Sequence, residues 1–241
     1  MLHKTRGIVF KVTDYGESSV IVQVYTEKFG LQSYIVNGAK KPKAKIHRNM
    51  LQPLHLLDMV VYHKNTGAVQ RIAELKNLPV LQSIPYDVIK SSLIMFLNEV
   101  LYKSVKQQTP DENLFQFLFH SVELLDQQTD NPANFHLVFL IRLSRYLGFY
   151  PDQNKPEGAD YFDMRNGVFT KYKPENWQYL SPPHTENFYQ LLKYGFENMD
   201  QINLKNDERR YLLNKLLEYY AQHVEGFGNI RSHEVLEEVL G

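Results

Sequence analysis

Between Asn37 and Arg48 the chain reads NGAKKPKAKIHR. Here Lys40, Lys41, Lys43, Lys45 and Arg48 place five cations within nine residues, with no Asp or Glu among them. Cations at this density suit one kind of chemistry, the neutralisation of a polyanion's phosphates with release of its counterions. Five such contacts would give a slope of log affinity against log salt of roughly −3.5 on a single strand. A solvated lysine-rich loop without a partner has the same composition, and the run alone does not separate the two readings. Arg6, Lys4 and Lys11 extend the basic surface if the first strand borders the loop. Exposed aromatic rings would add stacking platforms, each contributing roughly 1–3 kcal/mol per base. Phe10, Tyr15, Tyr25, Phe29, Tyr34 and Tyr62 lie in the same part of the chain. Most rings in a small barrel are core, and Tyr34, closest in sequence to the loop, is the stacking candidate.

The elements that hold this loop read as short strands. Arg6–Val12, Ser18–Thr26, Leu31–Val36, Leu54–Tyr62 and Val69–Leu75 are rich in β-branched and aromatic residues. Turn signals separate them, at Asp14, Gly16 and Glu17, at Phe29-Gly30, and at Lys64, Asn65 and Gly67. Five strands within 80 residues predict a small closed or nearly closed barrel, of OB or SH3-like type. Gly38 and Pro42 make the basic segment a loop between strands.

Beyond residue 80 the texture turns helical. A helix is expected over about 86–106, with apolar positions at Ile89, Leu93, Phe96, Leu97, Val100 and Leu101. Thr109-Pro110-Asp111-Glu112 reads as a helix start in which Thr109 caps and Glu112 completes a capping box. Asn131-Pro132 opens a helix running to Leu147, Asn206-Asp207 opens another to Val224, and Ser232 caps a terminal one. An irregular insert over 149–183 contains Arg165-Asn166-Gly167 between two apolar runs, a hairpin signal. The expected fold is α+β, with a five-stranded barrel over 1–80 and a helical domain over 81–241 that carries the hairpin insert.

Charge divides at the same place. Residues 1–80 carry 12 basic and 5 acidic side chains, a net of +7, and residues 81–241 carry 15 and 22, a net of −7. Such asymmetry points to a nucleic-acid or membrane-facing module joined to a differently employed body. The chain has no Cys, which excludes disulfides and Cys-ligated metals and fits a reducing cytoplasm. The N-terminal residues lack the apolar core of a signal peptide, and no stretch is long and apolar enough to span a membrane.

Catalytic patterns are weak. His47, His55 and His63 recur every eight residues, but Pro53 and the preceding loop keep them off one strand face. Glu237-Glu238 and Asp207-Glu208 are adjacent pairs that point to different helix faces. No HExxH, Walker-type loop or GxSxG occurs. Gly226-Phe227-Gly228 lacks both the preceding strand and the Lys of a phosphate loop, and reads as a chain reversal. A nuclease needs a carboxylate cluster around a metal, and residues 1–80 hold only five scattered acids.

Several runs resemble one family. Thr5-Arg6-Gly7-Ile8-Val9, Tyr15-Gly16-Glu17-Ser18-Ser19, Tyr25-Thr26-Glu27-Lys28-Phe29-Gly30 and Asn37-Gly38-Ala39-Lys40-Lys41 look like the OB domain of the bacterial recombination mediator RecO. Leu143-Ser144-Arg145-Tyr146-Leu147-Gly148-Phe149-Tyr150-Pro151 resembles that family's central signature. His223-Val224-Glu225-Gly226-Phe227-Gly228 and Arg231-Ser232-His233-Glu234-Val235-Leu236 are similar to its C-terminal end. The resemblance covers nearly the full length.

It implies an OB fold followed by a helical domain, binding of single- and double-stranded DNA, and annealing of complementary strands. It also implies work with the partner RecR to help the RecA recombinase displace single-strand-binding protein (SSB), in a cytoplasmic, nucleoid-associated setting without cofactor or membrane. Many members carry a four-cysteine zinc site in the insert. This chain has none of those ligands, so the expectation is an apolar cluster of Tyr161, Phe162, Val168, Phe169 and Trp177 in its place. The family binds the acidic, hydrophobic SSB tail through its helical domain. Arg142 and Arg145, beside Leu137, Phe139, Leu140, Ile141 and Leu143, are the candidates for the rim of such a groove. Pairing of both Arg with acids of neighbouring helices is the competing reading. Two functions therefore stand, a non-catalytic DNA-binding mediator and a scaffold whose basic barrel docks an acidic protein.

Overall fold

A computed structural model describes residues 1–64 and 68–240. Asn65 and Gly67, the turn signal before the fifth strand, lie outside the described residues. Five strands, β1 (Leu2–Tyr15), β2 (Ser19–Thr26), β3 (Gly30–Val36), β4 (Leu56–Tyr62) and β5 (Gln70–Asn77), close into a barrel of order β1-β2-β3-β5-β4. That order resolves the barrel type as OB. β1 is long enough to pair antiparallel with β4 through Leu2–Ile8 and with β2 through Gly7–Tyr15, shifting register between Val9 and Lys11. β3 and β5 close the wall in parallel, Tyr34 opposite Gln70.

Alternation fills the interior. Val20, Val22 and Val24 of β2 point inward with Val9, Tyr34, Val36, Leu57, Met59 and Val61, all nearly without solvent contact. Each such side chain contributes roughly 1.5–3 kcal/mol by leaving water. Gly7 leaves room for core side chains of the neighbouring strands. A Cβ there would lie 2.5 Å from Val24 Cγ1 and 2.6 Å from Met59 Cε.

Helices α1 (Val88–Ser104) and α2 (Glu112–Gln127) follow. The Asp87 carboxylate caps α1 by accepting from the Ile89 and Lys90 amides. Asp111 rather than Thr109 caps α2, its Oδ1 accepting from the Leu114 amide at 3.0 Å. Thr109 is instead spent on the barrel's end. The Leu31 amide donates to the Gln107 carbonyl at 3.0 Å, and the backbone of Gln108 and Thr109 fills the space a Cβ at Gly30 would need.

The compact units divide between Gln127 and Gln128, later than the change of texture at residue 80, because α1 and α2 stay with the barrel. Arg6 of β1 makes a two-pronged contact with Glu27, at 2.7 and 3.1 Å. It also lies over the Phe115 and Phe119 rings of α2, 5.2 and 4.8 Å from their centroids.

The second unit contains α3 (Phe135–Tyr146), α4 (His184–Lys193), α5 (Asn206–His223), α6 (Ser232–Leu240) and a small sheet, β7 (Val168–Thr170), β6 (Tyr161–Asp163) and β8 (Tyr179–Leu180), in that order. The hairpin expected at Arg165-Asn166-Gly167 is present, with a third strand added. Its turn takes in Met164, which is buried, and the Asp163 carboxylate accepts from the Arg165 and Asn166 amides. The apolar cluster of the insert is Phe162 and Phe169 with Phe188 of α4, at centroid distances of 5.0 and 4.6 Å from Phe162. Val168 and Trp177 do not join it. Val168 faces out on a three-residue strand, and Trp177 is 73% exposed. The four-cysteine zinc site does not fit this insert. Among the described residues no three His, Asp or Glu side chains gather where a metal could bind, and the sequence supplies no Cys.

Candidate nucleic-acid interface

The basic loop is anchored at both ends. Ala39 and Ile46 are buried in the barrel core, while Lys41, Pro42, Lys43 and Lys45 between them are exposed. The Lys40 amide donates to the Ser18 carbonyl and the Arg48 amide to that of Ala39, at 3.0 and 3.1 Å. The loop's two ends are thus tied to each other and to the β1–β2 turn. A tied loop loses less conformational freedom when it grips a ligand.

Folding also brings an acid to this loop. In register Asp14 pairs with Val20, and Val20 with Val36, so the end of β1 lies two strands from the start of the basic segment. Asp14 Oδ2 is 3.2 Å from Lys40 Nζ, and its Oδ1 is 2.8 Å from Arg48 Nη1. The hydrogen bond from Lys40, reinforced by the charge of Arg48, holds the Asp14 carboxyl below its ordinary range. Lys41, Lys43 and Lys45 form no ion pair among the described residues, and the five-cation loop presents three free cations.

The other basic candidates are otherwise employed. Arg6 is committed to Glu27 and α2, as above. Lys4 is largely in solvent but pairs with Asp58 across the β1–β4 ladder at 3.2 Å. Lys11 donates to the Tyr102 hydroxyl of α1 at 2.8 Å and lies 4.4 Å from its ring centroid.

Tyr34 is not a stacking platform. It alternates inward on β3, has no solvent exposure, and burial raises the pKa of its hydroxyl. Phe10 and Tyr25 are equally buried, stacked at 5.7 Å. The exposed barrel rings are Tyr15 and Tyr62. Tyr15 follows Asp14 at the basic-loop end of β1, and the run of alternation through Val12 and Asp14 was the signal for its outward position.

At the other end of β3, Lys28, Phe29, Gln32, His63 and Lys64 line an open cleft of about 520 Å³. Phe29 and His63 stack there at 3.8 Å. His55 serves a different purpose, its Nδ1 lying 3.0 Å from the Met50 carbonyl oxygen. The evenly spaced histidines thus perform separate local tasks.

In the second unit no apolar groove runs along α3, because Leu137, Phe139, Leu140, Ile141 and Leu143 are all core. Arg142 and Arg145 also do not pair with acids among the described residues. Arg142 donates to the Tyr194 carbonyl at 2.7 Å and approaches the Tyr150 hydroxyl at 3.4 Å. Arg145 is exposed, its guanidinium 4.5 Å from the Tyr150 ring centroid.

Residues 1–78 match the family profile described as Recombination protein O N terminal, and residues 85–232 match Recombination protein O C terminal. The profile boundary falls where strand gives way to helix. The chain is similar to the DNA repair protein RecO of Bacteroides fragilis, at 38% identity over 241 residues covering all of both chains. It is 36% identical to the DNA repair protein RecO of Azobacteroides pseudotrichonymphae over 240 residues, again covering both fully. To that of Flavobacterium psychrophilum it is 38% identical, with 98% of each chain covered. An OB barrel carrying a tied basic loop, followed by matched helical residues over the full length, places this chain in the RecO family.

Proposed function

We propose that this protein is a non-catalytic recombination mediator that binds single- and double-stranded DNA, anneals complementary strands and helps load a RecA-type recombinase onto SSB-coated DNA. The observation that carries the reading is the loop from Ala39 to Ile46, pinned at both ends with Lys41, Lys43 and Lys45 free between them. The name of its relatives, DNA repair protein RecO, supports it. Annealing follows from the same electrostatics. Lysines that neutralise phosphates on two strands reduce their repulsion and leave the base edges open to pair. Tyr15 replaces Tyr34 as the ring available for stacking at this end of the barrel. With its apolar residues buried, α3 offers the acidic SSB tail a charge contact alone, at the exposed Arg145, and Arg142 serves as structural support through the Tyr194 carbonyl. RecR is the expected protein partner, and the cytoplasm around the nucleoid the expected setting.

Annealing of two complementary ~30-nucleotide strands carrying a donor and an acceptor dye tests this, without Mg²⁺. The protein should accelerate energy transfer, and Lys41→Ala/Lys43→Ala/Lys45→Ala should remove most of the acceleration. A triple variant that anneals like the wild type would refute the assignment. The alternative scaffold reading would leave both proteins inactive.

A further inference from the structure

The exposed large aromatics of the second unit are Tyr172, at 84% exposure, and Trp177, at 73%. Both stand on the loop joining β7 to β8. Trp177 is the sole tryptophan of the chain. Tryptophan is normally retained for the large apolar area it buries, and here that area faces water. Neither ring has a ring or cation contact among the described residues.

Two local turns shape the ends of this loop. The Tyr172 amide donates to Thr170 Oγ1 at 3.2 Å, and the Gln178 amide to Asn176 Oδ1 at 2.8 Å. β7 and β8, at its two ends, both pair with β6. The loop's two ends are thus held in the sheet, which limits how far the rings can stray before stacking.

Between residues 165 and 177 the exposed charges are Arg165, Lys171 and Lys173 against Glu175, with Asp163 bordering the stretch at the hairpin turn. Lys173 Nζ lies 5.4 Å from the Tyr179 ring centroid, and Lys171 is the more open of the two loop lysines. Yet residues 81–241 carry a net of −7. A basic, aromatic loop within an acidic region matches a ligand with π-faces and phosphates together. Unstacked single strands offer both, whereas duplex bases are already stacked.

We propose that the β7–β8 loop is a second contact for single-stranded DNA, in which Trp177 and Tyr172 stack on bases and Lys171 and Lys173 neutralise phosphates. The proposal rests on the DNA-binding reading above and adds a separate site to it.

The sole tryptophan makes the test direct. Trp177 emission of the full chain is followed as a dT 30-mer is added, beside the anisotropy of the same oligonucleotide carrying a dye. Emission should be quenched with the same midpoint as the anisotropy change, and a blunt duplex should quench far less. Trp177→Ala should weaken single-strand binding roughly five-fold or more, with an unchanged salt slope because stacking releases no phosphate counterion. Trp177→Phe should recover most of the affinity. Tight binding by anisotropy without quenching overturns the site and leaves the DNA reading intact. Equal affinity of Trp177→Ala and wild type overturns it, as does quenching by an acidic peptide but not by dT. Absence of any anisotropy change at low salt is a different result, which removes the DNA reading and this site with it.

Discussion

Replacing Asp14 by Asn should tighten binding of single-stranded DNA and steepen its salt dependence. Asp14 holds Lys40 at 3.2 Å and Arg48 at 2.8 Å, leaving Lys41, Lys43 and Lys45 as the free cations. Three phosphate contacts correspond to a slope of roughly −2.1 on a single strand, and five to roughly −3.5. Between 50 and 200 mM salt the wild-type loop would thus lose about 20-fold in affinity and the variant about 130-fold. Asn keeps the shape of the side chain, removes its charge and turns one of the two acceptor oxygens into a donor, so it cannot hold both cations. Asp14 is half exposed, so the fold should be little affected. Lowering the pH does not imitate the variant near neutrality. The carboxyl is held below its ordinary value of 3.8, so the clamp persists above that pH and is lost only as pH falls through the depressed value. Anisotropy of a labelled 30-mer at 50, 100 and 200 mM salt reads both quantities. An unchanged slope, or weaker binding by Asp14→Asn at low salt, would refute the clamp.

Tyr34→Phe should leave DNA affinity unchanged, because the ring faces the barrel core; Tyr34→Ala should instead cost roughly 3–5 kcal/mol in denaturant melts through the cavity it opens. A selective loss of DNA binding in Tyr34→Phe would contradict the core assignment. Arg6→Ala should destabilise the first unit by about 1–2 kcal/mol, since it removes a two-pronged ion pair and two ring contacts, and Arg6→Lys should not restore it. The hydrogen bond from Arg6 lowers the Glu27 pKa below 4.5. Its contribution is fully present above that value and is lost as pH falls through the depressed one, so melts at pH 7 and pH 3 should differ more in wild type than in Glu27→Gln. Arg145→Ala should weaken binding of an SSB tail peptide without shifting the melting temperature, and Arg142→Ala should lower that temperature. Equal tail affinity in the Arg142→Ala/Arg145→Ala double variant would remove the site from this face.

Much of the fold was legible because alternation and turn residues are local signals. Val20, Val22 and Val24 declare an inward face, and Gly38 and Pro42 declare the basic segment a loop. The Asp14 clamp depends on a register across three strands, which no local pattern carries. Tyr34 faces inward because its place on β3, two residues before Val36, fixes its face, which nearness in sequence to a loop does not. The start of α4 carries no side-chain cap, so the local signal for it is weak. The groove expected along α3 disappeared because its apolar residues pack inward on nearly every side, which an apolar run alone does not reveal. Asp111 displaced Thr109 as the α2 cap because the preceding segment is committed to the barrel end at Gly30.

The most direct measurement is the salt slope of single-strand binding for wild type and for Lys41→Ala/Lys43→Ala/Lys45→Ala, without Mg²⁺. Removing three phosphate contacts should flatten the slope by about 2 and weaken binding alike across oligonucleotide sequences. A triple variant that keeps the wild-type slope and affinity would show that DNA is held elsewhere, and the tied basic loop would not be the interface.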